Sequence, residues 1–346
     1  MPTTGPMLAP PAPATPRVRN SATAQGGWMQ REQAIMGTSV TVQLWADDRA
    51  QGAAAMAAVM AEMQRIDRTY SPHRADSELS MVNALAATQA VRIGDEFFQL
   101  LARAVDFSRQ TGGAFDITYA SAGQLYDYRA GIAPDDLSLA RAVQAIGWRQ
   151  LQLEPLAPTV RFGRPGMRID LGGFAKGHAV DRSIRLLQRH GIRHALVSAG
   201  GDSRLLGDRR GRPWTVAIRD PRQADGVTAL LPLQDVAVST SGDYERCFVR
   251  DGVRHHHLLD PRTGRSPAHV RSVTIVAPDG LTAEALGKAV FVLGPSRGLQ
   301  LLEAMPDVDA VVIDADGALH CTQGFESLQA PVQLVPADTD AQQVRA

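Results

Sequence analysis

The chain has 346 residues, 44% of them hydrophobic, with 36 Lys and Arg balanced by 36 Asp and Glu. That length and apolar content supports one large or two ordinary domains with a real core, and the balanced charge speaks against a nucleic-acid or membrane-surface role, so any anion site must be local. Cys247 and Cys321 are the only cysteines, which argues against a disulfide framework or a cysteine-based zinc site while leaving a single bridge open.

The first residues are rich in Pro, Ala and Thr, with Pro10, Pro11, Pro13 and Pro16 close together, and they lack the apolar run of a signal peptide. Residues 1–27 are therefore expected to be a disordered leader, 28–337 the folded part, and 338–346 a flexible polar tail. No stretch approaches the roughly 20 apolar residues of a spanning helix, and the sequence as written does not indicate a compartment.

Alternation of Val40, Val42 and Leu44 predicts a strand over Gln33 to Trp45, followed by an Ala/Met-rich helix from about Ala50 to Arg68. Pro72 breaks regular structure, and Ser77 or Asp76 can cap a short helix ending near Asn83. Asp95 to Gln110 reads as an amphipathic helix with Phe98, Leu101, Val105 and Phe107 on its core face, stopped by Thr111-Gly112-Gly113. Another helix is expected over Asp135 to Ile146, then a hairpin of Leu151 and Leu153 with Val160 to Phe162.

The stretch Arg168 to Asp181 (RIDLGGFAKGHAVD) reads as a short apolar strand entering glycines and then a helix that ends at Gly191. Gly172-Gly173 lets backbone approach a ligand, the first amides of the helix are free to meet an anion, and Lys176 adds a movable positive charge, with Asp170 and Asp181 bracketing the turn. No named phosphate-loop pattern is matched, so an ordinary strand-to-helix turn is the alternative.

Strands are expected at His194 to Ser198, Ser203 to Leu206 and Trp214 to Ile218, with Asp202 exposed at a strand edge after Gly200-Gly201. Further strands are expected at Val236 to Ser239 and Arg271 to Ala277. Thr282 can cap a helix through Leu293 that Gly294-Pro295 stops, and Asp314 to Gly317 signals a hairpin between Val308 to Ile313 and Ala318 to Gln323. Strands and helices alternate without a doubly wound rhythm, which points to an α+β fold with mixed or antiparallel sheets.

The densest polar cluster is Thr240 to Arg246 followed by Arg254 to Gly264. In a strand His255 and His257 share one face and His256 takes the other, with no cysteine near to complete a zinc shell. A single catalytic histidine oriented by Asp260 fits the spacing, and so does a plain polar strand end.

Met36-Gly-Thr38, Ser77-Glu-Leu79 with Asn83, Thr111 to Asp116, Asp170 to Gly177, Gly200-Gly-Asp202, Thr240-Ser-Gly242 and His257 to Gly264 occur in the order seen in ApbE-like FAD:protein FMN transferases. The chain resembles that family from about Met36 to about Gly324. The resemblance implies a bilobal fold of sheets flanked by helices, working as a monomer or weak dimer. Such an enzyme uses FAD and Mg²⁺ to move FMN onto a threonine of an acceptor flavoprotein with release of AMP. It further implies that Met36, Ala114, Phe115, Asp116, Asp170, Lys176 and Leu258 line the FAD site, and that His257, beside Asp260, is the base for the threonine hydroxyl. His73 stands where the family carries an aromatic residue.

A larger departure lies in the late helix, where the family resembles Ala-Asp-Ala-Leu-x-Thr and this chain reads Ala283-Glu-Ala-Leu-Gly-Lys288. Glu284 keeps an oxygen that could join a Gly173 carbonyl on a metal, whereas the Lys288 ammonium has no lone pair to give. Either Glu284 and Lys288 form a helix-surface ion pair, or Lys288 takes the metal's space and touches the FAD pyrophosphate. An FAD-binding protein without transfer activity and an FAD pyrophosphate hydrolase are the alternative functions.

Overall fold

A computed structural model describes residues 26–223 and 226–326, with the backbone of Gln333–Leu334. The leader is thus outside the described residues up to residue 25, as is the tail from 338. In chain order the strands are β1 Gly27–Ile35, β2 Thr38–Ala46, β3 Val91–Arg92, β4 Leu151–Glu154, β5 Thr159–Phe162, β6 Ala195–Ala199, β7 Asp202–Leu206, β8 Trp214–Arg219, β9 Val227–Leu233, β10 Ala237–Gly242, β11 Cys247–Arg250, β12 Val253–His256, β13 Val270–Ala277, β14 Asp309–Asp314, β15 Leu319–Cys321 and β16 Gln333–Leu334. The helices are α1 Arg49–Tyr70, α2 Glu78–Leu85, α3 Asp95–Gln110, α4 Ala120–Gly123, α5 Asp136–Val143, α6 Ala175–Arg189, α7 Gly280–Leu302 and α8 Gln323–Glu326.

The centre is an eight-stranded antiparallel sheet in the order β1-β2-β6-β7-β10-β13-β14-β15. Its two faces are sorted by the period-2 alternation of strands. Val40, Val42 and Leu44 of β2, Ala195 and Val197 of β6, Ala237 of β10 and Val273 and Ile275 of β13 face one core, under α1, α6 and α7. Leu205, Val238, Val276 and Val311 face a second core, which the small sheet β16-β9-β8 closes with Trp214 and Leu231. The sheet β3-β5-β4 and helices α2 and α3 extend the first core. This is the expected α+β class with antiparallel sheets and helices.

Local chemistry explains most element ends. Asp48, Ser77 and Asp135 each accept a bond from a first-turn amide of α1, α2 and α5, contacts worth about 1 kcal/mol each. In α7 the cap is Asp279, not Thr282; its carboxylate takes both the amide and the hydroxyl of Thr282. Gly294 leaves helical geometry at φ 81°, and the chain then continues helically through Pro295 to Leu302, so Gly294-Pro295 kinks the helix instead of ending it.

Two expectations fail for physical reasons, and one strand was not expected at all. Gln33 to Trp45 is a hairpin, not one strand, because Met36 and Gly37 both take positive φ (57° and 71°) and reverse the chain. Residues 168–171 form no ladder. Instead the Asn83 side chain acts as a strand partner, donating to the Ile169 carbonyl at 2.9 Å and accepting from its amide at 2.8 Å. Finally, β9 runs through Pro232, a residue that argues against a strand in sequence.

Candidate active site

Strand alternation aims a polar set into the first core. Asp202 precedes Arg204 and Leu206 on the helix-facing side of β7, and Ser239 and Ser241 follow Ala237 on the same side of β10, with Ser239 directly opposite Asp202. Asp202 is therefore buried (3% exposed), not exposed at an edge. Its Oδ1 accepts from the Ser239 hydroxyl, and its Oδ2 accepts from the Lys176 ammonium, both at 2.5 Å.

Lys176 stands in the first turn of α6 and bridges to Glu284, in the second turn of α7, at 2.5 Å. Glu284 is fully buried (0% exposed), and its other oxygen accepts the Gly177 amide at 2.7 Å. The anion at the start of α6 is thus supplied by the chain itself, where a free set of amides was expected. The two helices can meet this closely because both carry glycine at the crossing: a Cβ on Gly177 would lie 2.3 Å from the Gly280 carbonyl oxygen. Asp181 does not bracket the glycine turn; from α6 it accepts the Gly280 amide at 2.8 Å and the Leu281 amide at 3.2 Å.

Lys288, one turn beyond Glu284, completes a quartet. Its ammonium donates to the Ser241 hydroxyl at 3.0 Å and lies 3.9 Å from Glu284 Oε1, with 18% of the side chain exposed. The pair with Glu284 is accordingly buried, not a helix-surface pair. The stem of Lys288 lies against Gly173, where an added Cβ would be 3.2 Å from Cε. Asp202, Glu284, Lys176 and Lys288 sum to zero charge. Burial pushes the Glu284 carboxyl up, as does Asp202 beside it; for Asp202 the charges of Lys176 and Lys288 overcome burial and hold the carboxyl below its ordinary range.

His257 follows directly after β12, its amide bonded to the Arg246 carbonyl at 3.1 Å. Its Nδ1 is buried without a hydrogen-bond partner among the described residues. Burial, reinforced by the charge of Lys288, pushes its imidazole down to about 3, so the ring is neutral near pH 7 and keeps a lone pair. The other two histidines do different work. His255 stacks on Phe248 at 5.0 Å, and buried His256 faces the Pro267 carbonyl at 2.9 Å. Asp260 does not bond His257; its carboxylate is held by Arg262 through Nη2 at 2.7 Å and Nε at 2.9 Å.

The remaining expected site residues fall into two groups. Met36 sits in the β1–β2 turn and His73 is exposed before α2; Asp170 accepts the Gly172 amide at 2.5 Å, and burial pushes its carboxyl up against that bond and the charges of His73 and Lys176. Ala114, Phe115 and Leu258 are core residues, with the Phe115 ring 5.3 Å from Phe174. Asp116 is spent on backbone, accepting from the Thr118 amide at 2.8 Å and the Trp148 amide at 3.0 Å. Ser239, expected only as a strand end, and Ser241, expected only within the Thr240-Ser-Gly242 motif, were given no partners from the sequence; the signal was the strand face they share with Ala237.

A divalent ion at Gly173 and Glu284 does not fit this arrangement. Both Glu284 oxygens are engaged, by an ammonium and an amide, and a second ammonium stands beside them. Among the described residues no three His, Cys, Asp or Glu side chains are grouped to hold a metal.

Residues 36–312 match the model of the ApbE family. An FAD:protein FMN transferase of Treponema pallidum is 36% identical over 315 residues, covering 85% of this chain and 87% of the relative. The apbE protein of Thermotoga maritima superposes with a TM-score of 0.82 at 31% identity, covering 88% of this chain and all of that one (100%). The flavin transferase ApbE of Vibrio cholerae gives 0.78 at 27%, covering 87% and 99%. With its motifs in order, its fold matched and its histidine set beside a buried charge quartet, this chain belongs to the ApbE family.

Proposed function

We propose that this protein is an FAD:protein FMN transferase, taking FMN from FAD and placing it on a threonine hydroxyl of an acceptor flavoprotein. The observation that carries the reading is the neutral, buried His257 with an unpartnered Nδ1 beside the Lys288 ammonium. Such an imidazole accepts a proton, and the neighbouring cation receives a phosphate.

The threonine oxygen attacks the FMN phosphorus of the FAD pyrophosphate. A new P–O bond forms to threonine, the bond to the bridging oxygen breaks, and AMP leaves with the electron pair. The threonine proton passes to His257. In the free protein the imidazole is a weak base because burial disfavours its charged form and the charges of Lys288, Arg246 and Lys176 add to that. The negative pyrophosphate offsets that field and raises its basicity when the donor is bound. Alignment and charge neutralisation then supply most of the rate, as in phosphoryl transfer generally. Asp170 at the glycine turn, Met36 in the β1–β2 turn and His73 before α2 are the residues we place against FAD.

Incubation with FAD and a flavoprotein domain carrying an acceptor threonine should yield covalent flavin fluorescence on a denaturing gel. His257→Gln should lose that band while still quenching FAD fluorescence on binding. No covalent flavin from the parent protein, with FAD binding intact, would overturn the reading in favour of a flavin-binding protein.

A further inference from the structure

The quartet is electrically complete without an ion. Two carboxylates, Asp202 and Glu284, meet two ammonium groups, Lys176 and Lys288, and the oxygens of both carboxylates already have donors. Lys176 is the inner cation, bonded to both acids. Lys288 is the outer one. Among the described residues it makes a single hydrogen bond, to Ser241, although an ammonium has three N–H donors. Its stem is laid along Gly173, so the head group stands over the glycine turn, and its charge is felt at His257 and at Asp202. A group held by its methylenes, partly exposed and with two donors unspent is built to receive an anion.

We infer that Lys288 itself supplies the positive charge on the FAD pyrophosphate that a divalent cation would otherwise bring, so that this protein binds FAD and transfers FMN without Mg²⁺. The inference rests on the proposed transferase reading for its second half only; FAD binding tests the first half alone. The geometry also explains why a metal and Lys288 exclude one another. An ion on Glu284 would have to displace Lys176 from the same oxygen and sit within contact of a second ammonium, which repels it. One charge in place of two predicts a weaker grip on the phosphates, but one that no chelator removes.

The experiment measures FAD affinity by fluorescence quenching, and transfer by covalent fluorescence on an acceptor domain, each in EDTA and in millimolar MgCl₂. In the parent protein both should change less than twofold between the two conditions. Lys288→Met should weaken FAD binding at least tenfold in EDTA, and Lys288→Arg should retain chelator-resistant binding. Lys288→Thr should bind weakly in EDTA and in MgCl₂ alike, because Lys176 and the Gly177 amide still occupy both Glu284 oxygens; parent-like affinity of the folded threonine variant in EDTA overturns the inference. Thermal melts confirm that each variant is folded, and the arginine variant keeps the test usable if the neutral ones are not. Transfer by the parent that stops in EDTA and returns with Mg²⁺ overturns the inference and leaves the transferase reading standing. Parent-like FAD affinity in folded Lys288→Met overturns it as well. Chelator-resistant FAD binding without transfer in either condition overturns the transferase reading while sustaining the role of Lys288.

Discussion

Replacing Lys176 by Met tests whether the quartet holds the two long helices together. Methionine keeps the length and apolar stem of lysine and removes only the ammonium that bridges Asp202 and Glu284 at 2.5 Å each. Both acids are buried, at 3% and 0% exposure, and the nearest remaining cation is Lys288, 3.9 Å from Glu284. Removing one partner of a buried ion pair costs about 3–5 kcal/mol, and at this chain length each kcal/mol lowers the melting temperature by roughly 2 °C. A loss of about 6–10 °C at neutral pH is expected. The deficit should shrink on acidification. Without Lys176 the folded-state pKa values of the two acids rise above their unfolded values, so the folded variant binds protons the unfolded chain does not. Its stability therefore falls as pH rises through those values. Differential scanning calorimetry across the acid range reads both effects. A melting point within about 2 °C of the parent, well inside the ion-pair loss, with no narrowing at low pH, would refute the reasoning. A double-mutant cycle with Glu284→Gln should recover part of the loss.

Asn83→Ala should leave the Ile169 amide and carbonyl without their partners, costing about 2–6 kcal/mol in urea unfolding at about 1–3 for each orphaned group, and should weaken FAD binding more than Asn83→Asp, which keeps an acceptor. Gly177→Ala should fail to give stable protein, since its Cβ would sit 2.3 Å from backbone oxygen that no rotamer change can move; soluble protein with a parental melting point contradicts this. Acid should unfold the protein through two groups. The bond to His178, with Arg65 adding to it, holds the Glu96 carboxyl at about 2, so its contribution is present above its unfolded value and is lost as pH falls toward 2. His257, pushed down to about 3 by burial, stays neutral in the fold while the unfolded chain takes up a proton, so stability also drops from about 6.5 toward 3. His257→Gln should flatten the stability-versus-pH slope over that interval; an unchanged slope counts against it.

What could be read from sequence was what depends on neighbours along the chain. The α3 boundaries follow from its periodicity and the Thr111-Gly112-Gly113 stop, and the Ser77 cap from its spacing. The β1–β2 reversal was hidden because a methionine occupies a left-handed position where asparagine usually advertises it. The site was legible as ordered motifs but not as a set of partners. Asp202 reads as a turn residue until β7 is paired with β10, which puts Ser239 across from it. Glu284 and Lys288 read as an exposed helical pair until α7 is laid on α6 at Gly177 and Gly280. Burial of those charges is a property of the assembled sheet and helices, which no local pattern carries.

The quartet also has a consequence for how the protein is made. Lys176 and Asp202 leave the ribosome long before Glu284 and Lys288, and β10 with its two serines must enter the sheet between them. Until α7 docks, an emerging chain holds Lys176 and Asp202 without the carboxylate and ammonium that complete the set. The complete quartet is therefore absent from every partial chain and from any fragment that stops before α7, and the chelator-resistant FAD binding inferred for Lys288 is expected only of a fully synthesised, fully folded molecule.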